Sequence, residues 1–174
     1  MGDNSTQAPS GGAGATSNAT QIAIDSADGE SLAEKLTRAA RKGDLGSLRQ
    51  LLPMADLSVV DQHGRNTLQA AIEAAVEMRR FECVEALLPL CDAKKETWRG
   101  GTLLIEAMAE GWMDGVRLLL PVSDADAKDR TSWTVLHRAA AVGRKEVALV
   151  LPAASPSVKD HRGRTALKIG RAHV

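Results

Sequence analysis

The fold class that this sequence predicts is all-α, a solenoid of stacked helix pairs, and three observations carry the prediction. The first is a leucine of an "x-L-x-x-A" unit that recurs at Leu36, Leu68, Leu104, Leu136 and Leu167, with spacings of 32, 36, 32 and 31 residues. A period in that range marks helical repeat arrays. The second is a Leu-Pro step that closes each interval, at Pro53, Pro89, Pro121 and Pro152. The third is composition: aromatic residues make up 2% of the chain, with one Phe, three Trp and no Tyr, so the core must be built from Leu, Ala, Val and Met. Such side chains suit thin stacked helices better than a thick sandwich.

In chain order, residues 1–28 are rich in Gly, Ser, Ala, Thr, Asn and Gln, and cannot bury enough surface to offset their chain entropy. They read as a disordered tail ahead of a repeat domain over 29–174. The start "MGDNST" fits the pattern for myristoylation at Gly2, but Asp3 suits that modification poorly and no second anchoring signal stands nearby. Order is expected from "GESLAEKL", where Ser31 and Glu34 have capping-box spacing.

The first pair then reads Leu36, Ala39 and Ala40 on one helix face, Gly43 as the turn, Asp44 as the next N-cap, and Leu48, Leu51 and Leu52 before Pro53. The fourth repeats this plan with Leu136, Ala139 and Ala140, a left-handed turn at Gly143, and Val147, Val150 and Leu151 before Pro152. Because proline lacks an amide hydrogen and disfavours the α region in the residue before it, each Leu-Pro is expected to end a second helix. The second unit carries about four extra residues within "EAAVEMRRFE" and has Ala75 where the glycine is expected, so a longer first helix or a wider turn is predicted. The fifth unit holds a first helix only, and fraying is expected there.

Helix, glycine turn, helix and a loop returning through "D-x-x-G-x-T-x-L" resembles the ankyrin repeat. The likeness rests on "DQHGRNTLQAA" (61–71), "DRTSWTVLHRAA" (129–140) and "DHRGRTALKIG" (160–170), with "WRGGTLLIEA" (98–107) a weaker copy. It is densest at Thr134, Leu136, His137, Ala139 and Ala140. The family's Thr-Pro-Leu proline is replaced by Thr67, Leu103, Val135 and Ala166, and its glycine after the second helix by the Leu-Pro turn. The resemblance implies an ankyrin solenoid of about four helix pairs and a half-repeat with projecting loops or β-hairpins. It also implies that His137 bonds neighbouring loop backbone.

Twenty-two basic and 22 acidic residues cancel, which removes the global field that would favour nucleic acid. Locally basic "KDHRGRTALKIGR" reads as a solvated face. No apolar run is long enough to span a bilayer, so no membrane role is expected. Cys83 and Cys91 match no CxxC spacing and read as buried reduced thiols, which points to the cytoplasm; neither metal nor cofactor is expected.

Motifs for a nucleophile elbow, a P-loop or a zinc helix are missing, and His63, His161 and His173 are too scattered to converge, so an enzyme is not expected. Binding is the better reading. By the resemblance, partners meet the loop tips and the first-helix residues beside the turn. The tips hold Gln62, His63 and Arg65, then Trp98 and Arg99, then Arg130 and Trp133, then His161, Arg162 and Arg164. On the same side lie Arg41, Lys42, Glu73, Glu110 and Val142.

Two tryptophans and five arginines thus share one edge, the composition of binding hot spots. The edge either grips an acidic or aromatic-bearing protein segment, or Trp98 and Trp133 pack on neighbouring loops with the arginines solvated. The function that the sequence supports is a monomeric, non-catalytic protein-interaction module or scaffold. The alternative is a regulatory subunit or secreted effector whose repeats target an enzyme or host protein.

Overall fold

The computed structural model describes residues 30–55 and 65–170. The sequence readings on residues 1–28, Gln62, His63 and His173 lie outside them. The chain divides into two units, Met1–Ser31 and Leu32–Val174, and the described helices all belong to the second.

They come in pairs: α1 (Leu32–Lys42) with α2 (Leu45–Leu51), α3 (Thr67–Glu77) with α4 (Phe81–Leu87), α5 (Leu103–Ala109) with α6 (Met113–Leu119), α7 (Val135–Val142) with α8 (Arg144–Val150), and a single α9 (Ala166–Gly170). First helices stack in the order α1, α3, α5, α7, α9. Among the described residues no strand forms; an isolated antiparallel bridge joins Lys159 and Thr165.

Side-chain caps start α3, α5 and α7. The Asn66 side chain accepts from the Gln69 amide at 2.8 Å, and the Thr102 hydroxyl accepts from the Ile105 amide at 3.5 Å. Asp44 caps α2 by accepting from the amide and hydroxyl of Ser47. Each cap satisfies a donor that the helix itself leaves unpaired.

Stacking then buries the anchors. Leu36, Leu68, Leu104 and Leu136 are all at most 2% exposed, within one core that includes Ala39, Ala71, Ala107 and Ala139. The alanines let neighbouring backbones approach closely. Leu167 departs from this pattern at 66% exposed, because no helix among the described residues covers the far side of α9. Ala166 and Ile169 are the residues of α9 that meet the core side.

The prolines end the helices by a different route from the one the sequence suggests. Pro53, Pro89, Pro121 and Pro152 are exposed, and the leucine before each keeps right-handed helical angles: Leu52 lies at φ −53°, ψ −45° and Leu120 at φ −55°, ψ −42°. These two leucines and Leu88 pack against the core, which holds them helical despite the proline. The proline then enters a tight 3₁₀ turn, Leu52–Met54 or Leu88–Leu90, where its fixed φ fits and its missing N–H leaves no bond unmade.

The inter-helix turns also divide. Gly43, Arg79 and Gly111 adopt left-handed φ of 81°, 54° and 66°. The residue after each donates its amide back into the helix, Asp44 to Ala39, Arg80 to Ala75 and Trp112 to Ala107, at 2.8–2.9 Å. Gly143 instead is extended at φ 168°, so the left-handed turn expected there is not formed. In the second repeat the four additional residues become one more helical turn, with Ala75 buried inside α3 and Arg79 taking the glycine's place.

Candidate functional site at the loop tips

Three tips share one backbone construction. Residues 97–101, 129–133 and 160–164 are each closed by the amide of the first residue bonding to the carbonyl of the fifth, at 2.7–2.9 Å, and by the amide of the fourth bonding to the carbonyl of the first, at 2.8–2.9 Å. The fourth position is left-handed in all three: Gly100, Ser132 and Gly163.

What fills the first position differs. At Asp129 one carboxylate oxygen accepts from the Thr131 amide and hydroxyl and from the Trp133 amide, while the other meets the Arg138 guanidinium. Burial works to raise the Asp129 pKa, but the donors from Thr131 and Arg138 outweigh it and hold it below the usual carboxylate range. Asp160 repeats the arrangement with the amides of Arg162 and Arg164 and the Arg164 guanidinium, and is likewise held low against its burial. At the first described tip the residue is Thr97, whose hydroxyl donates to the buried Glu106 carboxylate. There burial wins over the hydroxyl's bond, with repulsion from Glu73 adding to it, and the Glu106 pKa is raised.

His137 links two repeats. Its Nδ1 faces the Thr134 amide and hydroxyl at 3.2 and 2.8 Å and so accepts, which leaves the proton on Nε2 directed to the Arg164 carbonyl at 3.2 Å. The Trp133 ring stacks on it with centroids 6.3 Å apart, and Arg138 lies 5.0 Å over the same ring. Trp133 is therefore half-buried, held between its own repeat's cap and ion pair.

Trp98 is presented differently, at 46% exposed. Arg99 lies 5.2 Å over its ring and reaches Glu77 at 2.7 Å and Glu110 at 3.3 Å. From the next tip, Arg130 donates to the Trp98 carbonyl at 2.9 Å. Its side chain crosses Gly100, where a Cβ would overlap the Arg130 stem. His161 in turn faces the Thr131 carbonyl at 2.8 Å, so each tip is tied to the one before it.

Other residues from the sequence reading separate. Arg65 pairs with Glu73 at 2.9 Å, and Glu73, 3% exposed and also bonded by Gln69, is an interior group unavailable to a partner. The reach of Arg65 and Gln69 back along α3 draws it inward. Arg99 and Arg164 are also neutralised by this chain's own carboxylates, while Arg130 and Arg162 are exposed and have none within ion-pair range among the described residues. Val142 is exposed at the end of α7. Trp112 is buried, its ring filling the space that a Cβ on Gly115 would occupy.

A family model described as ankyrin repeats, three copies, matches residues 72–160, slightly more than half of the chain. The chain belongs to the ankyrin-repeat family. A search of curated proteins found no match. Ankyrin repeats are typically non-catalytic modules that mediate protein–protein interaction. In this ankyrin array the Asp129 and Asp160 carboxylates and the Thr97 hydroxyl are spent on holding the tips. Among the described residues no group of three or more His, Cys, Asp or Glu side chains could hold a metal, and no helix is long and apolar enough to cross a membrane. Cys83 and Cys91 are free thiols, and burial followed by the Glu73 charge pushes Cys91 up to about 12.

One set of exposed residues escaped the sequence reading. Met78, Arg79, Arg80 and Phe81 stand together at the lengthened turn after α3, at the opposite end of the first helices from the tips. The only sequence signal for them was the length excess and the missing glycine.

Proposed function

We propose that this ankyrin array is a monomeric, non-catalytic adaptor that binds a partner protein along the tips 97–101, 129–133 and 160–164 and the adjoining first-helix surface. The observation that carries the reading is Trp98. A half-exposed tryptophan, stacked by Arg99 and fixed through its backbone by Arg130, offers a large apolar contact whose ordering cost is already met within the free protein. Arg130 and Arg162 supply the unneutralised charge of this edge, and His161 flanks them. The free thiols, Cys83 buried and Cys91 half-buried rather than buried as the sequence suggests, support a reducing compartment such as the cytoplasm.

Crosslinking with mass spectrometry in the native cell tests this with Trp98→Ala, a variant that removes no buried group. Partner crosslinks recovered with the wild type should fall about tenfold, with the melting temperature unchanged. Equal recovery from a folded variant would remove the tip as the contact. A single stoichiometric partner would favour the alternative of a regulatory subunit or an effector aimed at one enzyme or host protein, and several weaker partners the adaptor.

A further inference from the structure

Within a regular array, the one irregular repeat is where a surface feature can arise without disturbing its neighbours, and insertions in repeat proteins tend to lie on a binding face. Here the irregularity is the extra turn of α3. Four residues at 1.5 Å each carry its end about 6 Å further than the regular repeat length would. The turn that results displays Met78, Arg79, Arg80 and Phe81, all exposed, with Met78 at 41% and Phe81 at 37%.

The ridge is held from both sides. Arg79 donates to the Glu110 carbonyl in the following repeat, and Arg80 Nε donates to the Arg41 carbonyl in the preceding one at 3.1 Å. The Arg80 side chain also lies across Gly43, where a Cβ would meet its Cδ at 3.0 Å. These contacts place Arg80 beside the turn that bears Arg41 and Lys42, both exposed. Arg79 holds φ 54° at a position where the neighbouring turns use glycine, a left-handed conformation that strains a non-glycine residue.

Charge sets this ridge apart from the paired arginines of the tips, where Arg130 and Arg162 are the exceptions. Arg65, Arg99 and Arg164 are each paired to a carboxylate of this chain. Arg79 and Arg80 bond only to neutral carbonyls, and among the described residues no carboxylate pairs with them or with Arg41 or Lys42. Among the nearest acids on the packed elements, Glu77 and Glu110 hold Arg99, Asp44 accepts from Ser47 while feeling the Lys42 charge, and Glu82 lies exposed on the first turn of α4. A chain of net charge zero thus brings four cations together on two adjacent turns, none within ion-pair distance of a carboxylate among the described residues, flanked by an aromatic ring and a thioether.

We propose that the ridge of Arg41, Lys42, Arg79 and Arg80, with Met78 and Phe81, is a docking site for an acidic, apolar-spaced segment of a partner protein. The proposal rests on the protein-binding reading above and adds the partner's chemistry and a second contact edge. The cations steer and hold the carboxylates, and the two apolar side chains give the segment a register.

The test uses the full chain and a fluorescein-labelled twelve-residue peptide of repeated Glu-Glu-Leu, read by fluorescence anisotropy. The wild type should bind it with an affinity that falls as salt rises. Arg79→Gly combined with Arg80→Gln should weaken binding by about tenfold, and Lys94→Gln with Lys128→Gln, which removes the same charge elsewhere, by less than about twofold. Arg79→Gly alone suits the left-handed turn, so it should keep the melting temperature at or above that of the wild type while still weakening binding. An absence of wild-type binding, equal losses in the two double variants, wild-type affinity in Arg79→Gly, or tighter binding of a duplex DNA of equal charge would each overturn the proposal. In the native cell, crosslinks lost with Trp98→Ala but kept by the ridge variant would refute the ridge and leave the tip reading standing. The reverse would refute the tip and support the ridge.

Discussion

The two ends of the first helices handle charge in opposite ways. At the tips, Asp129 and Asp160 gather backbone amides and an arginine from their own repeat, so the carboxylate charge there is spent on shape, while Arg130 and Arg162 have no carboxylate in ion-pair range among the described residues. At the turn after α3, Arg79 and Arg80 reach only carbonyl oxygens, so their charge stays available. The same residue type is therefore structural where a carboxylate is within reach, as at Arg138 and Arg164, and available where none is, as at Arg79, Arg80, Arg130 and Arg162. An arginine count along the sequence does not separate the two, since the difference lies in whether a carboxylate comes within reach.

The contrast would break most visibly in stability. Asp129→Ala leaves the amides of Thr131 and Trp133 and the Arg138 guanidinium without their acceptor. It should cost about 3 kcal/mol in urea unfolding, against less than about 0.5 kcal/mol for Arg80→Gln at the exposed turn. Comparable losses for the two would erase the distinction.

Acid and base should next split the tips among themselves. Asp129 is held low, so its contribution is fully present above the ordinary value of 3.8 and is lost as pH falls through the folded value. The stability gap between wild type and Asp129→Asn should accordingly close below about pH 4. Glu106 is raised by burial, so the sign reverses: its contribution is present below the ordinary value of 4.5 and is lost as pH rises through the folded value. Glu106→Gln keeps an acceptor for Thr97 and should become more stable than the wild type between about pH 5 and 8, with no advantage near pH 4. A pH-independent difference in either variant would show that the carboxylate's charge is not what distinguishes the tips.

The smallest effect concerns backbone alone. Ser132 holds φ 60° where the equivalent tips have Gly100 and Gly163. Ser132→Gly should therefore raise stability by about 0.5 kcal/mol, the relief of the left-handed angle less the entropy that glycine loses, and raise the melting temperature by about 2 °C. An unchanged or lower melting temperature would mean that the Ser132 side chain contributes more than its angle costs.

Much of the array could be read directly because its signals are local and repeated. The anchors Leu36, Leu68, Leu104 and Leu136, the cap at Asp44 and the turn glycine Gly43 each act over a few residues. The departures are places where packing overrode a local preference. Leu52 and Leu120 stay helical before proline because their side chains are held against the core, and Gly143 is extended although its sequence neighbours resemble those of Gly43. Leu167 matches the buried anchors in sequence and is exposed because burial requires a neighbour. Glu73 reads as a surface residue of a helix and is interior because Arg65 and Gln69 satisfy its carboxylate.

By itself, then, the sequence determined the period, the pairing of helices, the positions of the turns and the ankyrin family, since each follows from residue spacing and backbone preference along a few neighbouring positions. Tertiary structure alone decided which of many arginines remain unneutralised, that Trp98 is displayed while Trp133 is held beneath Arg138, and that the extra residues of the second repeat form a braced ridge between two other turns. The physical reason is range. Helix periodicity and turn angles are set within about one repeat, whereas the bonds of Arg79, Arg80, Arg130 and His161 to neighbouring carbonyls join groups 30 to 39 residues apart that only stacking brings together.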